Sequence, residues 1–507
     1  MATNSVIIYQ FADFNIEDFY TRYLYEINEH IVIESEVDYH PDYLIKCGVN
    51  LSNEQYNALL DRYNNPKQIY CKAKRGAEKY EIIKCKVQYL QHLIIRRAYY
   101  KKDTQVFSLN SQILKKIIGD EYSKMIYVLI QMGYLMHADG SHGFYVKGKY
   151  AKIYTIPDDC KITSIFSTNA KLLKYLKKES EQLELYRKTV VSPIIEEKFG
   201  KDFQKEYEIS LSKIHLIDNL GFQSFVEQRL IEKPDGKLYY EYIREGLDEK
   251  NKRIQKVDGA GRIYHVLTNT KREIKQFLNI AISADCKNSH PVLFNYFIFK
   301  YHNISRNDAY SISLAMHGID DTSNIRASLS KVVSSNLLGS FKDDELKYIY
   351  ETSTGQFWDN IVREIPEYNR TEVKEKMFAE VFYSNSHQVK HYQSFARRFQ
   401  KQFPNVMRLI KAWKKKENRA WIDAYMSKRN LSYSKPEAAL SIAMMNLEAR
   451  IFGEVLRRMY RKRWRAFHIH DCIIVPQTTS KNQPTREEVI VIMRDVYKEC
   501  GLLPTFD

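Results

Sequence analysis

The stretch from Phe467 to Pro476 limits what this chain can fold into more than any other. Phe467 and Ile469 alternate with His468 and His470, the period of a strand, and Ile473 to Val475 is an apolar run closed by a proline. The two runs read as a hairpin with Asp471 where they meet. A carboxylate at the tip of a buried hairpin loses solvation energy that something cationic has to restore. A divalent metal is one such cation. An ordinary hairpin with an acid in its turn has the same pattern, so the rest of the chain decides between the two.

At 507 residues, 44% of them hydrophobic, the chain has material for more than one packed domain. Its net charge of +16 favours a polyanionic partner. The 38 Tyr and 24 Phe supply rings that can stack on bases, although most aromatics in any fold are core. No apolar run is long enough to span a bilayer, which argues against a membrane protein. The start, Met1-Ala2-Thr3-Asn4, lacks the basic and apolar regions of a signal peptide, so a cytoplasmic location is expected. Seven scattered Cys with no Cys-x-x-Cys pair speak against a disulfide framework or a structural zinc site. No internal repeat or low-complexity segment is present.

Residues 1–85 are mixed in character and are expected to form an accessory region. Residues 86–160 are sharper. Val87 to Tyr100 reads as a helix, Asn110 caps a second, and Tyr122 to Met132 forms a third. Tyr134 to Met136, a turn at Asp139-Gly140-Ser141, and Tyr145 to Tyr154 with Lys147, Lys149 and Lys152 make a small hairpin. Helices followed by such a hairpin resemble a winged-helix module, which either binds DNA or docks proteins. Residues 161–255 are helical and charged. Lys171, Lys174, Lys177 and Lys178 form either a solvated face or an arm that grips a phosphate backbone, and Lys233-Pro234-Asp235 marks a turn.

From residue 256 onwards unusual signals accumulate. Asp258-Gly259-Ala260-Gly261-Arg262, followed by Ile263-Tyr264, is either a common Gly-rich turn or a close approach to phosphate with Arg262 as anchor. Ile280, Ile282 and Ala284 alternate into Asp285, a second acid at a strand end. A helix-like run from Arg363 to Phe382 puts Arg370 and Lys374 one turn apart, where an anion such as a triphosphate would relieve their repulsion. Residues 391–420 interleave aromatics with Arg397, Arg398, Lys414 and Lys415, a composition suited to nucleic-acid contact. A long helix from Pro436 to Lys462 then leads into the Asp471 hairpin.

These signals share one need. Asp285 and Asp471 can share a pair of Mg²⁺ ions, and Arg370 with Lys374 can hold a triphosphate. Two-metal phosphoryl transfer uses such a set. In order and type the motifs resemble those of the single-subunit, phage-type RNA polymerases and the related family A DNA polymerases. Asp258 to Arg262 is similar to an Asp-x-x-Gly-Arg motif near template and product. Asp285 resembles the motif A aspartate. Arg370, Lys374 and Phe382-Tyr383 resemble motif B, and His470-Asp471 resembles motif C.

The resemblance covers residues 256–507 and implies an α+β, right-hand polymerase. Its palm and fingers would follow thumb-like helices at 161–255 and a winged-helix-like region. It implies a compact enzyme encoded by a phage or mobile element. By the resemblance Asp285 and Asp471 hold two Mg²⁺ ions, with Mn²⁺ as a substitute. Lys374 contacts the incoming triphosphate and protonates the pyrophosphate, and Arg370 assists. Phe382 or Tyr383 stacks near the base. His290 sits where the family discriminates the sugar. Arg262, Tyr264 and His470 lie near template, primer or product.

The implied activity is a minimal DNA-dependent RNA polymerase or primase-like enzyme, with a DNA polymerase as the alternative. Its partners are a DNA template, nucleoside triphosphates and an RNA or DNA product. A winged-helix nucleic-acid-binding protein with an inactive polymerase-like half is the alternative of another class. Four departures leave the sugar open. The family spacing puts the aromatic at Phe382 and not Tyr383, Ser384 replaces a glycine, His290 replaces Glu or Gly, and Cys472 replaces Ser or Glu. The Asp-x-x-Gly-Arg motif favours RNA synthesis.

Overall fold

A computed structural model describes residues 6–28, 41–46, 52–64, 73–99, 106–138, 153–217, 219–232, 236–247, 252–270, 272–320, 322–384, 388–390, 393–433, 435–480 and 482–507. The turn expected at Asp139 to Ser141, the lysines at 147, 149 and 152, and the turn at Lys233 to Asp235 lie outside them. Helices dominate and the sheets are small and antiparallel, so the protein is α+β. The chain forms two compact units: residues 1–186 with 229–242, and 187–228 with 243–507.

The first unit is built on the helix Ala73–Tyr99, which runs straight through residue 85, where the sequence suggested a boundary. Its face Val87, Leu90, Ile94 and Ala98 is fully buried, the spacing of one helical stripe. The strand Val6–Phe11 packs on it and pairs antiparallel with Ile162–Ser167 in the register Val6 to Ser167. The helix also supplies acceptors to that strand. Gln91 accepts from the Phe11 amide at 3.1 Å, and His92 Nδ1 accepts from the Tyr9 amide at 3.2 Å. Both amides would otherwise be buried donors without partners.

The same unit holds a run of short helices and strands over residues 107–155. The order is strand Phe107–Ser108, helix Ser111–Ile118, helix Tyr122–Gln131, then strands Met136–His137 and Ile153–Thr155. The last strand lies between the other two. Asn110 caps the first helix as expected, its Oδ1 accepting from the amides of Gln112 and Ile113.

The second unit carries a three-stranded sheet with Cys472–Pro476 at its centre, Ile280–Asp285 on one side and Phe467–Ile469 on the other. The strands at 467–469 and 472–476 are buried at every position, not at alternate ones. The helix Pro436–Arg461 packs against Arg486–Glu499, which in turn contacts the Ile280–Asp285 strand. His468, read from alternation as polar-face, is therefore buried between Phe452 and Tyr207. Burial pushes its imidazole down to about 3.

Burial likewise pushes His92 down to about 3, so the ring is neutral in the fold and protonates near 6.5 once unfolded. Its contribution to stability is thus whole above pH 6.5 and declines as pH falls toward 3. His92→Phe is expected to remove that slope and to cost about 1–3 kcal/mol at neutral pH, because the Tyr9 amide loses its acceptor. Denaturant melts of both proteins between pH 4 and 7 measure both effects.

Candidate active site around Asp285 and Asp471

Sheet register brings the two acids together. Cys472 pairs with Ile469 on one side and with Asp285 on the other. Asp471 and the end of the Asp285 strand are thus neighbours, and the Cys286 amide donates to the Asp471 carbonyl at 3.2 Å. The turn is the two residues His470-Asp471, with His470 left-handed at φ 55°. Asp285 is held from its other edge as well. It exchanges both backbone hydrogen bonds with Asp507, at 2.9 and 3.1 Å.

Both acids are half-buried. Desolvation first, then the charges of Asp285 and Glu448, push the Asp471 carboxyl up to about 8. Hard carboxylate oxygens placed where they repel each other suit a hard divalent cation, which would relieve the repulsion. Among the described residues no cluster of three or more His, Cys, Asp or Glu makes a ready metal cage. The donors this site offers Mg²⁺ are the two aspartates.

The Gly-rich stretch is a tight hairpin. Lys256–Val257 pairs with Ile263–Tyr264, and Gly261 takes φ 95°, a conformation that suits glycine. Asp258 staples the turn, accepting from the Arg262 amide at 2.9 Å and the Tyr264 hydroxyl at 3.0 Å. Burial and then Asp258 raise the Tyr264 phenol to about 12. The sequence reads Arg262 as an open phosphate anchor. The structure instead pairs its guanidinium with Glu448 at 2.6 Å and leaves the side chain 17% exposed.

Glu448 is the site residue that the motifs did not reveal. It lies in the middle of Pro436–Arg461 and is 3% exposed. Its second oxygen receives His290 Nε2 at 3.1 Å. His290 and Arg262 hold this carboxyl down to about 2 against the opposing effect of burial. A signal was available. Glu448 sits four residues after Met444 and three before Ile451, squarely on the apolar stripe of its helix. A carboxylate there needs a buried cation.

The motif B segment is not one helix from Arg363. Phe357–Glu364 ends before Pro366, and a new helix, Arg370–Lys376, starts with an Asn369–Glu372 capping box. Arg370 is exposed and faces Asp359 at 3.4 Å, while the Lys374 ammonium lies 5.7 Å from the Trp358 ring centre. Past Lys376 the helix widens into a π turn, Met377–Phe382, and the Tyr383 amide reaches back five residues to the Phe378 carbonyl at 2.8 Å. A π turn absorbs one extra residue. It sends Phe382 into the core against Phe294 and Phe378, fully buried, and brings Tyr383 to His290. Of the two aromatics only Tyr383 keeps an exposed edge.

Lys414 differs from its sequence reading. It is 2% exposed and donates to the Val381 carbonyl of the π turn, which makes it a support for that turn and removes it from the surface. Burial pushes its ammonium down to about 7. Arg397, Arg398 and Lys415 are exposed, with Arg398 paired to Glu367 at 2.8 Å and Lys415 near Glu417 at 3.8 Å. His470 is exposed at the hairpin tip, its Nε2 3.1 Å from the Thr268 carbonyl. Two groups result: Asp285 beside Asp471, and Arg262, His290 and Tyr383 gathered around Glu448, with the charges of Glu448 and Arg262 felt at Asp471.

Burial of Asp471, reinforced by the neighbouring carboxylates, has a measurable consequence. A carboxyl raised from 3.8 to about 8 in the fold opposes stability increasingly as pH climbs through that window. Asp471→Asn is therefore expected to raise the thermal midpoint at pH 8 by a few degrees in metal-free buffer, at about 2–4 °C per kcal/mol for a large chain. The gain should shrink toward pH 4 in calorimetric scans. Added Mg²⁺ should stabilise the wild type and leave Asp471→Asn unchanged.

No protein-family model, no curated protein and no solved structure matches this chain.

Proposed function

We propose that the protein is a template-directed nucleotidyltransferase of right-hand polymerase type, with ribonucleotide polymerisation its first activity. One observation carries the reading: strand register sets two acids from distant parts of the sequence side by side at one end of a buried sheet. A structural role does not account for this, since the pairing costs stability. The cluster next to it supports the same reading, because it ends on a tyrosine offered by a basic helix.

The residues divide the work as follows. Asp285 and Asp471 hold Mg²⁺, which when bound activates a 3′-hydroxyl and neutralises charge on the reacting phosphate. Exposed Arg370 and half-buried Lys374, one turn apart on the helix, bind the triphosphate. Lys374 delivers a proton to the departing pyrophosphate. Tyr383, stacked on Phe378 at 5.3 Å, presents a rigid ring to the incoming base. His470 at the hairpin tip meets the primer or product end. Exposed Arg397, Arg398 and Lys415 contact the nucleic-acid backbone.

The test is nucleotide incorporation on single-stranded DNA with Mg²⁺, with and without a primer, comparing the four NTPs with the four dNTPs. Asp285→Asn and Asp471→Asn should each eliminate incorporation while keeping the fold. Lys374→Ala should lower kcat/KM by roughly 10²-fold, the size of a lost proton donor, and leave template affinity intact. Incorporation retained by either aspartate variant refutes the assignment. Salt-sensitive DNA binding by a wild type that incorporates nothing would instead support a winged-helix binding protein.

A further inference from the structure

Five cations of the second unit come together from four helices. Lys300 lies in the last turn of Ser289–Tyr301, Arg306 opens Arg306–Met316, Lys428 and Arg429 follow Arg419–Ser427, and Arg450 belongs to Pro436–Arg461. Two of them share one ring. The Lys300 ammonium lies 4.7 Å from the centre of the buried Tyr425 ring, and the Arg429 guanidinium carbon lies 3.7 Å from it. The charges of Arg429 and Arg450 both act on the Tyr425 phenol. Burial first, then the charges of Arg429, Lys428 and Arg306, push the Lys300 ammonium down.

Among the described residues none of the five makes an ion pair. Other arginines of this unit do, Arg326 with Asp343 at 2.6 Å and Arg398 with Glu367 at 2.8 Å. The acids near the five in the chain are engaged elsewhere. Asp308 accepts from the Ser305 hydroxyl at 2.6 Å, Asp423 accepts from the Tyr433 hydroxyl at 2.6 Å, and Glu499 meets Arg458. Arg429 spends its amino groups on neutral oxygens, the Tyr425 carbonyl at 3.0 Å and the Tyr296 hydroxyl at 3.4 Å, and its buried Nε meets no acceptor.

Solvation is the ordinary fate of a surface charge, and a helix C-terminus favours one cation, which suits Lys300 and Lys428 singly. Neither accounts for Arg306, which begins its helix at the end where the dipole disfavours a cation. Neither accounts for two cations on one ring beside three more. Like charges so placed are relieved by an anion, and guanidinium forks with ammonium points are the side chains that hold phosphate. Lys300, Arg306, Lys428 and Arg450 are exposed, so an anion from solution can reach them.

We propose that Lys300, Arg306, Lys428, Arg429 and Arg450 form a phosphate-binding site, separate from the Asp285–Asp471 pair, that takes the phosphodiester groups of a nucleic-acid strand. Tyr425 is its platform and holds Lys300 and Arg429 in place by cation–π contact. Lys300 is ten residues beyond His290 on the same helix, roughly 15 Å along its axis, so the site stands apart from the acids. Charges contributed by four helices suit a row of phosphates better than a single one. Free pyrophosphate has the same chemistry and is the other source to be tested. The site needs no incorporated nucleotide, and a wild type that incorporates none leaves its test intact.

The test is binding of a fluorescein-labelled 20-mer of oligothymidylate to the full chain, followed by anisotropy at several salt concentrations in metal-free buffer. Lys300→Gln/Arg306→Gln/Lys428→Gln should weaken binding about tenfold and flatten the slope of log affinity against log salt by about two, the release expected from three phosphate contacts on a single strand. The same charge loss at Lys331, Lys342 and Arg363, exposed residues of the same unit, should change affinity less than about twofold. Should the triple variant fail to fold, Arg306→Gln/Arg450→Gln, which keeps the Tyr425 stack, decides with a slope change of about one. Calorimetric titration with inorganic pyrophosphate separates the two sources. If the triple variant loses pyrophosphate binding but holds the oligonucleotide as the wild type does, the strand assignment is overturned. If neither ligand is affected, or the control variant loses as much, the site itself is overturned.

Discussion

The second unit depends on a repulsion. Backbone pairing at Cys472 forces Asp471 against the end of the Asp285 strand, and a double hydrogen bond to Asp507 keeps Asp285 from swinging away. Sheet geometry is stiff, so the carboxylates cannot relax apart without breaking ladder bonds. Folding forgoes stability here, and the cost appears as a carboxyl pushed up to about 8. Most side-chain arrangements in proteins lower such a cost by pairing each acid with its own base. Arg262 lies close enough to act on Asp471, yet its guanidinium is committed to Glu448.

A second constraint is one of phase along a helix. Each residue turns an α-helix by a fixed angle, so an inserted residue rotates everything after it. Here the phase changes at the π turn, Met377–Phe382, at the expense of regular hydrogen bonding. That irregularity has its own supports. The buried Lys414 donates to the Val381 carbonyl, and Glu380 accepts from the Ala396 amide at 3.0 Å. Two neighbouring segments thus hold the turn, and Tyr383 arrives at His290 with Phe382 packed behind it. A regular α-helix through the same residues would exchange the two, pointing an apolar ring at the imidazole and a hydroxyl at the core.

Local chemistry was legible in the sequence wherever a residue's neighbours in the chain determine it. The Asn110 cap, the strand alternation into Asp285, the hairpin around Asp471 and the proline at the start of Pro436–Arg461 depend on a handful of adjacent residues, and all of them appear in the structure. What stayed hidden depends on distant partners. The Val6–Phe11 strand is recognisable only beside Ile162–Ser167. Lys414 looks like any other lysine in a basic run until the carbonyl it serves is known. The π turn at Met377–Phe382 cannot be read from the spacing of Arg370, Lys374 and the aromatics alone. Burial then chose between the two aromatics.

Glu448 shows how that boundary can be moved. Apolar spacing alone is enough to place its helix and says nothing of the acid on the stripe. Physically it is the most informative residue of the helix. An ionised carboxylate in a core is tolerated only with cations facing it, so its presence predicts that an arginine or histidine from elsewhere must arrive at that level. Arg262 of the Asp258–Arg262 turn and His290, just past Asp285, are the groups that arrive there, both in segments already suspected of chemistry. Matching buried acids to unassigned bases would have joined the two segments before any coordinates. It would also have placed His290 beside a carboxylate.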